Sequence, residues 1–380
     1  MAKIAHLTSA HPRHDTRIFI KQCRSLAEHG HDVTLVVADG AGAGRDDGVR
    51  IVDVGRLPGR VNRILRTTGR VLAAARALEA DVYQLHDPEL IPAGLLLKRL
   101  GRKVVFDAHE DVPAQLLGKP YLGPMSGRML ARSFGACERF ACRRFDGIIA
   151  ATPFIRDKFL RINPATVDVN NFPLLPEFAA PANWSGKAAE VCYVGNISAI
   201  RGIRELVRAC ALLRSPARLA LAGAFEDAAL QTEVSGYPGW GRVDAHGHLD
   251  RAGVQRVMMR AVAGLVTLHP VMNYLDALPV KMFEYMAAGI PVIASNFPLW
   301  RDIVEGNGCG VCVAPGDPLA IAAAIDHFVL HPELARRMGE NGRRAVVERY
   351  NWQPESRKLV DFYARLQAAP AVPPPRTVKA

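Results

Sequence analysis

The sequence predicts an α/β protein made of two Rossmann-like domains facing each other across a central cleft, and three observations carry that expectation. At 380 residues, the chain exceeds the size of one ordinary core and calls for two domains of about 150–200 residues each. Short apolar runs alternate with longer amphipathic stretches along its whole length, the pattern of a parallel sheet wrapped by helices. Near the middle, residues 170–187 (NNFPLLPEFAAPANWSGK) hold three prolines and no sustained period, which marks a break between two halves.

Taken in order, the strand-like runs of the first half are IAHLTS, DVTLVVA, DVYQLH, KVVFDAH and DGIIAAT. Those of the second half are CYVGN, RLALAG, GLVTLH, PVIAS and GVCVAP. Between them lie helical stretches such as Arg17–His29, Arg60–Leu78, Arg204–Leu213 and Pro318–Leu330. The expected organisation is a first domain at 1–172, a linker at 173–186 and a second domain at 187–350. A C-terminal helix at 351–367 and a proline-rich, disordered tail at 368–380 follow.

Composition narrows the class. A hydrophobic content of 49% with 22% charged residues describes a globular chain with a sizeable core. No apolar run reaches the roughly 18 residues that span a bilayer. The start, MAKIAHLTS, leads directly into a strand, so the expected location is cytoplasmic. Seven scattered cysteines do not form a disulfide framework. Cys309 and Cys312 read as part of a buried strand entering a turn.

The chemistry gathers in the segment from His269 to Asn296, HPVMNYLDALPVKMFEYMAAGIPVIASN. Asp276 precedes a helix-forming run that ends at Gly289, a C-cap, before the strand resumes. A carboxylate beside a helix N-terminus is placed to hold sugar hydroxyls, and the same N-terminus attracts phosphate. Glu284 lies eight positions after Asp276, two turns along and on the same face. Upstream, residues 191–206 read VCYVGNISAIRGIREL, an apolar run, a glycine turn and a helical pattern.

Together these segments resemble the retaining nucleotide-sugar glycosyltransferases of family 4. Their signature is two acids separated by seven residues, the second opening a Glu-x-Met-Ala-x-Gly-x-Pro-Val-Ile run; here Glu284 to Ile293 reads EYMAAGIPVI. The first acid is Asp276 where the family usually has Glu. The family's Gly-Arg-Leu-x-x-x-Lys-Gly falls on Gly195, Asn196, Ile197, Arg201 and Gly202. Arg201 keeps the cation, with a planar fork suited to phosphate. Asn196 loses one, and the spacing of Lys281 puts forward that side chain as its replacement.

The resemblance implies the GT-B architecture. It further implies that Gly195, Asn196, Arg201, Lys281, Glu284 and the backbone around Leu278 bind the donor, with Glu284 on the ribose. Asp276 and His109 would hold the sugar ring, with Arg201 stabilising the leaving diphosphate. His109 lies in DAHED after the strand KVVF, at the sheet edge where α/β folds bind ligands. Asp107, Glu110 and Asp111 are its neighbours, and His86, Asp87 and Glu89 end another strand.

The loop His11-Pro12-Arg13-His14-Asp15-Thr16-Arg17 resembles a bacterial surface-polysaccharide subgroup. Acceptor contact is expected from His11, Arg13, His14, Asp15, Arg17 and His86; Asp15 reads equally well as a helix cap. Neither half carries a G-x-G-x-x-G after its first strand, which argues against a dinucleotide dehydrogenase. No Asp-x-Asp metal motif occurs, so no metal and no cofactor beyond the nucleotide-sugar co-substrate is expected. An epimerase or hydrolase on the same scaffold, or a two-domain binding protein, stands as the alternative. The expected donor is a UDP-sugar, with GDP-mannose next, and the expected acceptor is a polyprenyl-linked glycan.

Charge is uneven. Residues 1–175 carry 26 basic against 18 acidic side chains, and the remainder 22 against 19. Arg56, Arg60, Arg63, Arg66 and Arg70 form one basic stripe, and Arg128, Arg132, Arg139, Arg143 and Arg144 a looser one. Such faces attract anionic lipid at about 1 kcal/mol per residue, so docking on the inner leaflet is expected, against a merely solvated face. No aromatic platform accompanies the charge, and nucleic acid is not an expected partner.

Overall fold

A computed structural model describes residues 1–117, 123–178 and 183–368. The expected tail therefore lies outside the described residues apart from Ala368, as do residues 179–182 of the expected linker. The chain divides into two compact units, Met1–Asn171 with the chain from Gln353 onward, and Phe172–Trp352. Each has an α/β architecture built on a single sheet.

The first unit holds β1 (Lys3–Leu7), β2 (Asp32–Val37), β3 (Gly44–Asp46), β4 (Val49–Asp53), β5 (Val82–Leu85), β6 (Lys103–Ala108), β7 (Gly147–Ala150) and β8 (Thr166–Asp168). Their order is β3-β4-β2-β1-β5-β6-β7-β8, and every pairing is parallel except β3 with β4. The second unit holds β9 (Glu190–Val194), β10 (Arg218–Ala222), β11 (Val243–Gly247), β12 (Ala263–Val266), β13 (Val292–Ser295) and β14 (Gly310–Val313). They run parallel in the order β11-β10-β9-β12-β13-β14.

Burial on both faces explains why the central strands read as unbroken apolar runs. In β9, Val191 and Tyr193 enter one hydrophobic core while Cys192 and Val194 enter the other. Leu219 and Leu221 of β10 part from Ala220 and Ala222 in the same way, the two-residue period of a strand. Strands β3, β4, β8 and β11 are absent from the sequence expectation. Three of them, β3, β8 and β11, are sheet edges and β3 is wholly exposed; β4 lies inside the sheet, but exposed Arg50 between buried Val49 and Ile51 breaks its apolar run.

The helices that matter below are α1 (Pro124–Cys142), α2 (Ile203–Ala211), α3 (Val280–Ala287), α4 (Pro332–Glu348) and α5 (Trp352–Ala368). From Gln353, α5 belongs to the first unit. Phe362 packs over Gly147, where an added Cβ would fall 2.4 Å from its ring. Lys103 Nζ donates to the Leu366 carbonyl at 2.7 Å, and Glu355 accepts from the Asn170 amide at 2.8 Å.

Among the parallel strands, each order reverses direction once, between β1 and β5 and between β9 and β12. Parallel α/β sheets bind ligands beyond the carboxyl ends of the strands at that reversal. The loops leaving β1, β5, β9 and β12 are therefore the places to look.

Candidate active site

In the second unit, β9 runs into Gly195, whose φ of +106° favours glycine. A Cβ there would stand 3.4 Å from Lys281 Nζ. Gly202, at φ +79°, precedes α2 and leaves no room for a side chain, because its Cβ would meet the Thr267 carbonyl oxygen at 2.2 Å. The loops after β9 and β12 are thus pressed together by glycines.

Arg201 lies in this contact, close to the hydroxyls of Tyr193 and Tyr274, which favour its charge. The Tyr193 hydroxyl donates to the Asn196 carbonyl at 2.8 Å. Burial pushes that phenol up to about 12, with Arg201 pulling the other way. Lys281 Nζ lies 3.6 Å from the centre of the Tyr193 ring, closed off from solvent and without a hydrogen-bond partner among the described residues. Burial, reinforced by Arg201, holds this ammonium well below the ordinary lysine value, against a smaller opposing pull from Glu284.

Two more buried atoms there lack a hydrogen-bond partner, Thr267 Oγ1 and Asn273 Oδ1. Helices α2 and α3 both begin without a side-chain cap, which leaves their leading amides as donors, except that Met282 N–H already donates to the Pro279 carbonyl at 3.0 Å. Two cations, two bare helix N-termini and unpartnered polar atoms make a site built for an anion.

The paired acids behave differently from each other. Glu284 is buried on α3, and Arg251 Nη1 pairs with its Oε1 at 2.6 Å. Arg251 also holds Glu177. Asp276 follows the short helix Met272–Leu275 and is half-buried. The Leu278 side chain packs on the hydrophobic core, which leaves only its backbone for a ligand. Asn196 presents an exposed side chain.

In the first unit, the loops after β1, β5 and β6 converge on Asp107, which is wholly buried. Its Oδ2 accepts from His109 Nε2 at 3.0 Å, His86 Nδ1 at 3.1 Å and Gln22 Nε2 at 2.8 Å. Arg17 donates to both oxygens, at 2.6 and 3.2 Å, and to the Val169 carbonyl at 2.7 Å. Burial alone would raise this carboxyl, but Arg17 and His109 hold it well below the usual range.

Asp15 caps the helix starting at Thr16, accepting from the amides of Arg17 and Ile18. His11 bridges Asp15 at 3.2 Å and Asp87 at 3.3 Å. Burial opposes the charge on His11, yet those two carboxylates outweigh it and push the ring up to about 10. The structure thus brings His11, Asp15, Arg17, His86 and His109 together. Arg13 turns away to a two-pronged pair with Asp39, and His14 to exposed Asp46.

Arg17 and His86, read from sequence as acceptor contacts, are buried and act on Asp107 instead. A guanidinium with a carboxylate partner 90 residues away leaves no local signal, and neither does Arg251 with Glu284. The ligand atoms of His86, Asp107 and His109 lie within 4.8 Å of one another, close enough for a metal. Asp107 Oδ2 already accepts five donors, though, and Arg17 supplies the positive charge an ion would bring, so the group fits a hydrogen-bonded hub better.

Residues 176–345 match the family described as glycosyl transferases group 1. Residues 18–173 match the glycosyl transferase 4-like domain. Both halves of the chain thus match glycosyltransferase families, and its fold is that of the GT-B glycosyltransferases. This glycosyltransferase is 25% identical to glycogen synthase of Mycobacterium tuberculosis over 322 residues, 76% of each chain. Its fold is similar to that of sucrose-phosphate synthase from Thermosynechococcus elongatus, with a TM-score of 0.79 at 20% identity over 97% of this chain and 100% of the other. It is likewise similar to Anabaena HepE, solved in complex with UDP-glucose, with a TM-score of 0.73 at 14% identity over 96% and 100%.

Proposed function

We propose that the glycosyltransferase moves a sugar from a nucleoside diphosphate sugar to a lipid-linked glycan, with retention of anomeric configuration and without a metal. The observation that carries this reading is Lys281 Nζ, shut from solvent beside Arg201 with no counter-charge of its own. A buried amino group without a hydrogen-bond partner is costly, and a diphosphate would complete it as the ammonium. Arg201, Lys281 and the first amides of α2 and α3 then meet the charge that builds on the departing diphosphate. Such preorganised electrostatics is usually the largest catalytic term.

Glu284, steadied by Arg251, accepts hydrogen bonds from the ribose hydroxyls. Asp276 and His109 act on the sugar ring, as the family resemblance implies. No side chain in either cluster is arranged as a covalent nucleophile. That favours a same-face route in which a diphosphate oxygen takes the acceptor's proton. The UDP-glucose bound to HepE favours a UDP-sugar, ahead of GDP-mannose.

A thermal-shift panel of UDP, GDP, ADP and their sugar conjugates, with and without EDTA, tests the donor site. Ligand at about 100 times Kd adds near 2.7 kcal/mol. A shift with one nucleotide that survives EDTA is the expected result. No shift with any of them would overturn the reading.

Docking on an anionic inner leaflet belongs to the same proposal, in a role in surface-polysaccharide synthesis. Among the described residues, no helix is long and apolar enough to cross a membrane. Support comes from exposed Val61 and Leu65 beside Arg66, and from exposed Met125 and Met129 beside Arg128 and Arg132 on α1. Arg63 is partly committed to Glu89. Co-sedimentation with phosphatidylglycerol vesicles at low salt, lost at high salt, is expected. Equal recovery with neutral vesicles would remove the charge argument.

A further inference from the structure

We infer that Asp107 is a positioning residue for His109, and that Tyr363 of the C-terminal helix α5 sets that position through Gln84 and Gln22. The inference rests on the proposed role of His109 at the donor sugar. It goes beyond that role by naming what fixes the ring.

The chain of contacts is continuous inside the first unit. The Tyr363 hydroxyl donates to Gln84 Oε1, and Gln84 Nε2 donates to Gln22 Oε1. Gln22 Nε2 then donates to Asp107 Oδ2 at 2.8 Å, and Gln84 Nε2 reaches the same oxygen at 3.4 Å. Tyr363, Gln84, Gln22 and Asp107 are all buried. Buried amides can turn over only by breaking every bond they make, so each fixes the next.

The hub also fixes protons. With Arg17 across both oxygens, Asp107 is a carboxylate and can only accept. His109 must therefore carry a proton on Nε2, which turns Nδ1 away as the nitrogen free for a substrate hydroxyl. The same logic runs inward: His86 donates from Nδ1 to Asp107, so its Nε2 accepts from His6 Nδ1 at 2.9 Å. That tautomer assignment leaves His6 Nε2 as a lone pair, and this buried atom has no hydrogen-bond partner among the described residues. The edges of His11 and His109 meet with ring centres 5.5 Å apart, which limits tilting of His109 from the other side.

This arrangement gives the last helix a stake in the chemistry. A hydroxyl on α5, 254 positions after His109 in the sequence, ends a relay whose other end is the His109 ring. Supporting partners of this kind are typically worth about 10- to 100-fold in activity when removed.

The experiment has two parts. Nitrogen-15 NMR of ring-labelled wild-type protein reads the His109 tautomer directly and needs no variant. The signal, assigned with His109→Ala, is expected to show a protonated Nε2, and a protonated Nδ1 with bare Nε2 would overturn the inference. Steady-state kinetics of Asp107→Asn and Tyr363→Phe then follow. Asp107→Asn is expected to lose about 10- to 100-fold in kcat, with the Kd for the free nucleoside diphosphate unchanged and the tautomer signal altered. Tyr363→Phe, which leaves every charge in place, should shift the His109 signal and lower kcat by a smaller factor. An unchanged signal and kcat in folded Tyr363→Phe would overturn the relay. If His109→Ala itself keeps full turnover, the role of His109 at the sugar fails, while the tautomer result still stands or falls separately.

Discussion

Arg201→Ala is expected to lower kcat about 100- to 1,000-fold, the usual loss when one preorganised donor to a developing anion is removed. The expectation follows from how the side chain is held. Gly202 closes the loop against Thr267, and the guanidinium lies close to the hydroxyls of Tyr193 and Tyr274 before any substrate arrives. The fork therefore needs no reorganisation as the diphosphate departs. Ground-state affinity for the nucleotide should fall less than kcat, because charge on the bridging oxygen develops only as the bond breaks. Folding should survive, since the Tyr193 hydroxyl keeps its bond to the Asn196 carbonyl. Arg201→Lys should fall between wild type and alanine, as it keeps the charge and loses the fork. Initial rates with a saturating acceptor, beside a melting curve for each variant, decide the matter. Near-normal turnover in folded Arg201→Ala would take this residue out of the reaction.

How far the sequence reaches is clear from the same residues. The positions of Gly195 after a strand and of Arg201 before a helix were legible because the apolar run, glycine turn and helical pattern around them are local. The central strands were legible because parallel strands buried on both faces leave continuous apolar runs. What stayed hidden was long-range pairing. Arg17 and Arg251 each look like an ordinary basic side chain until the fold brings Asp107 and Glu284 to them. Asp15, open between cap and ligand, proves to be a cap because its Oδ1 accepts two amides. The edge strands β3 (GRD), β8 (TVD) and β11 (VDAHG) were missed because they hold too few apolar residues to form a run, whereas β14 (GVCV), also an edge, was read.

Lys281→Met is expected to stabilise the protein while weakening donor binding about 100-fold, a divergence few substitutions produce. Methionine keeps the length of the stem and removes a buried amino group that has no hydrogen-bond partner among the described residues. Relief of an unsatisfied buried polar group is worth about 1–3 kcal/mol, or roughly 2–4 °C for each kcal/mol in a unit of this size. The pH dependence follows from the depressed value of Lys281. The folded state binds this proton less readily than the unfolded chain, whose lysine titrates near 10.5. The penalty is therefore complete below the folded value, eases as pH rises through the window between the two, and is gone above about 10.5. The melting advantage of Lys281→Met should shrink across that same window. Donor binding runs the other way, since a diphosphate favours the ammonium. Wild-type protein should take up a proton on binding UDP, and its affinity should fall as pH rises. Calorimetry in two buffers of different ionisation enthalpy measures that proton, which should be missing in Lys281→Met. A variant that melts lower than wild type and binds UDP equally well would show that Lys281 supports the fold and does not meet the donor.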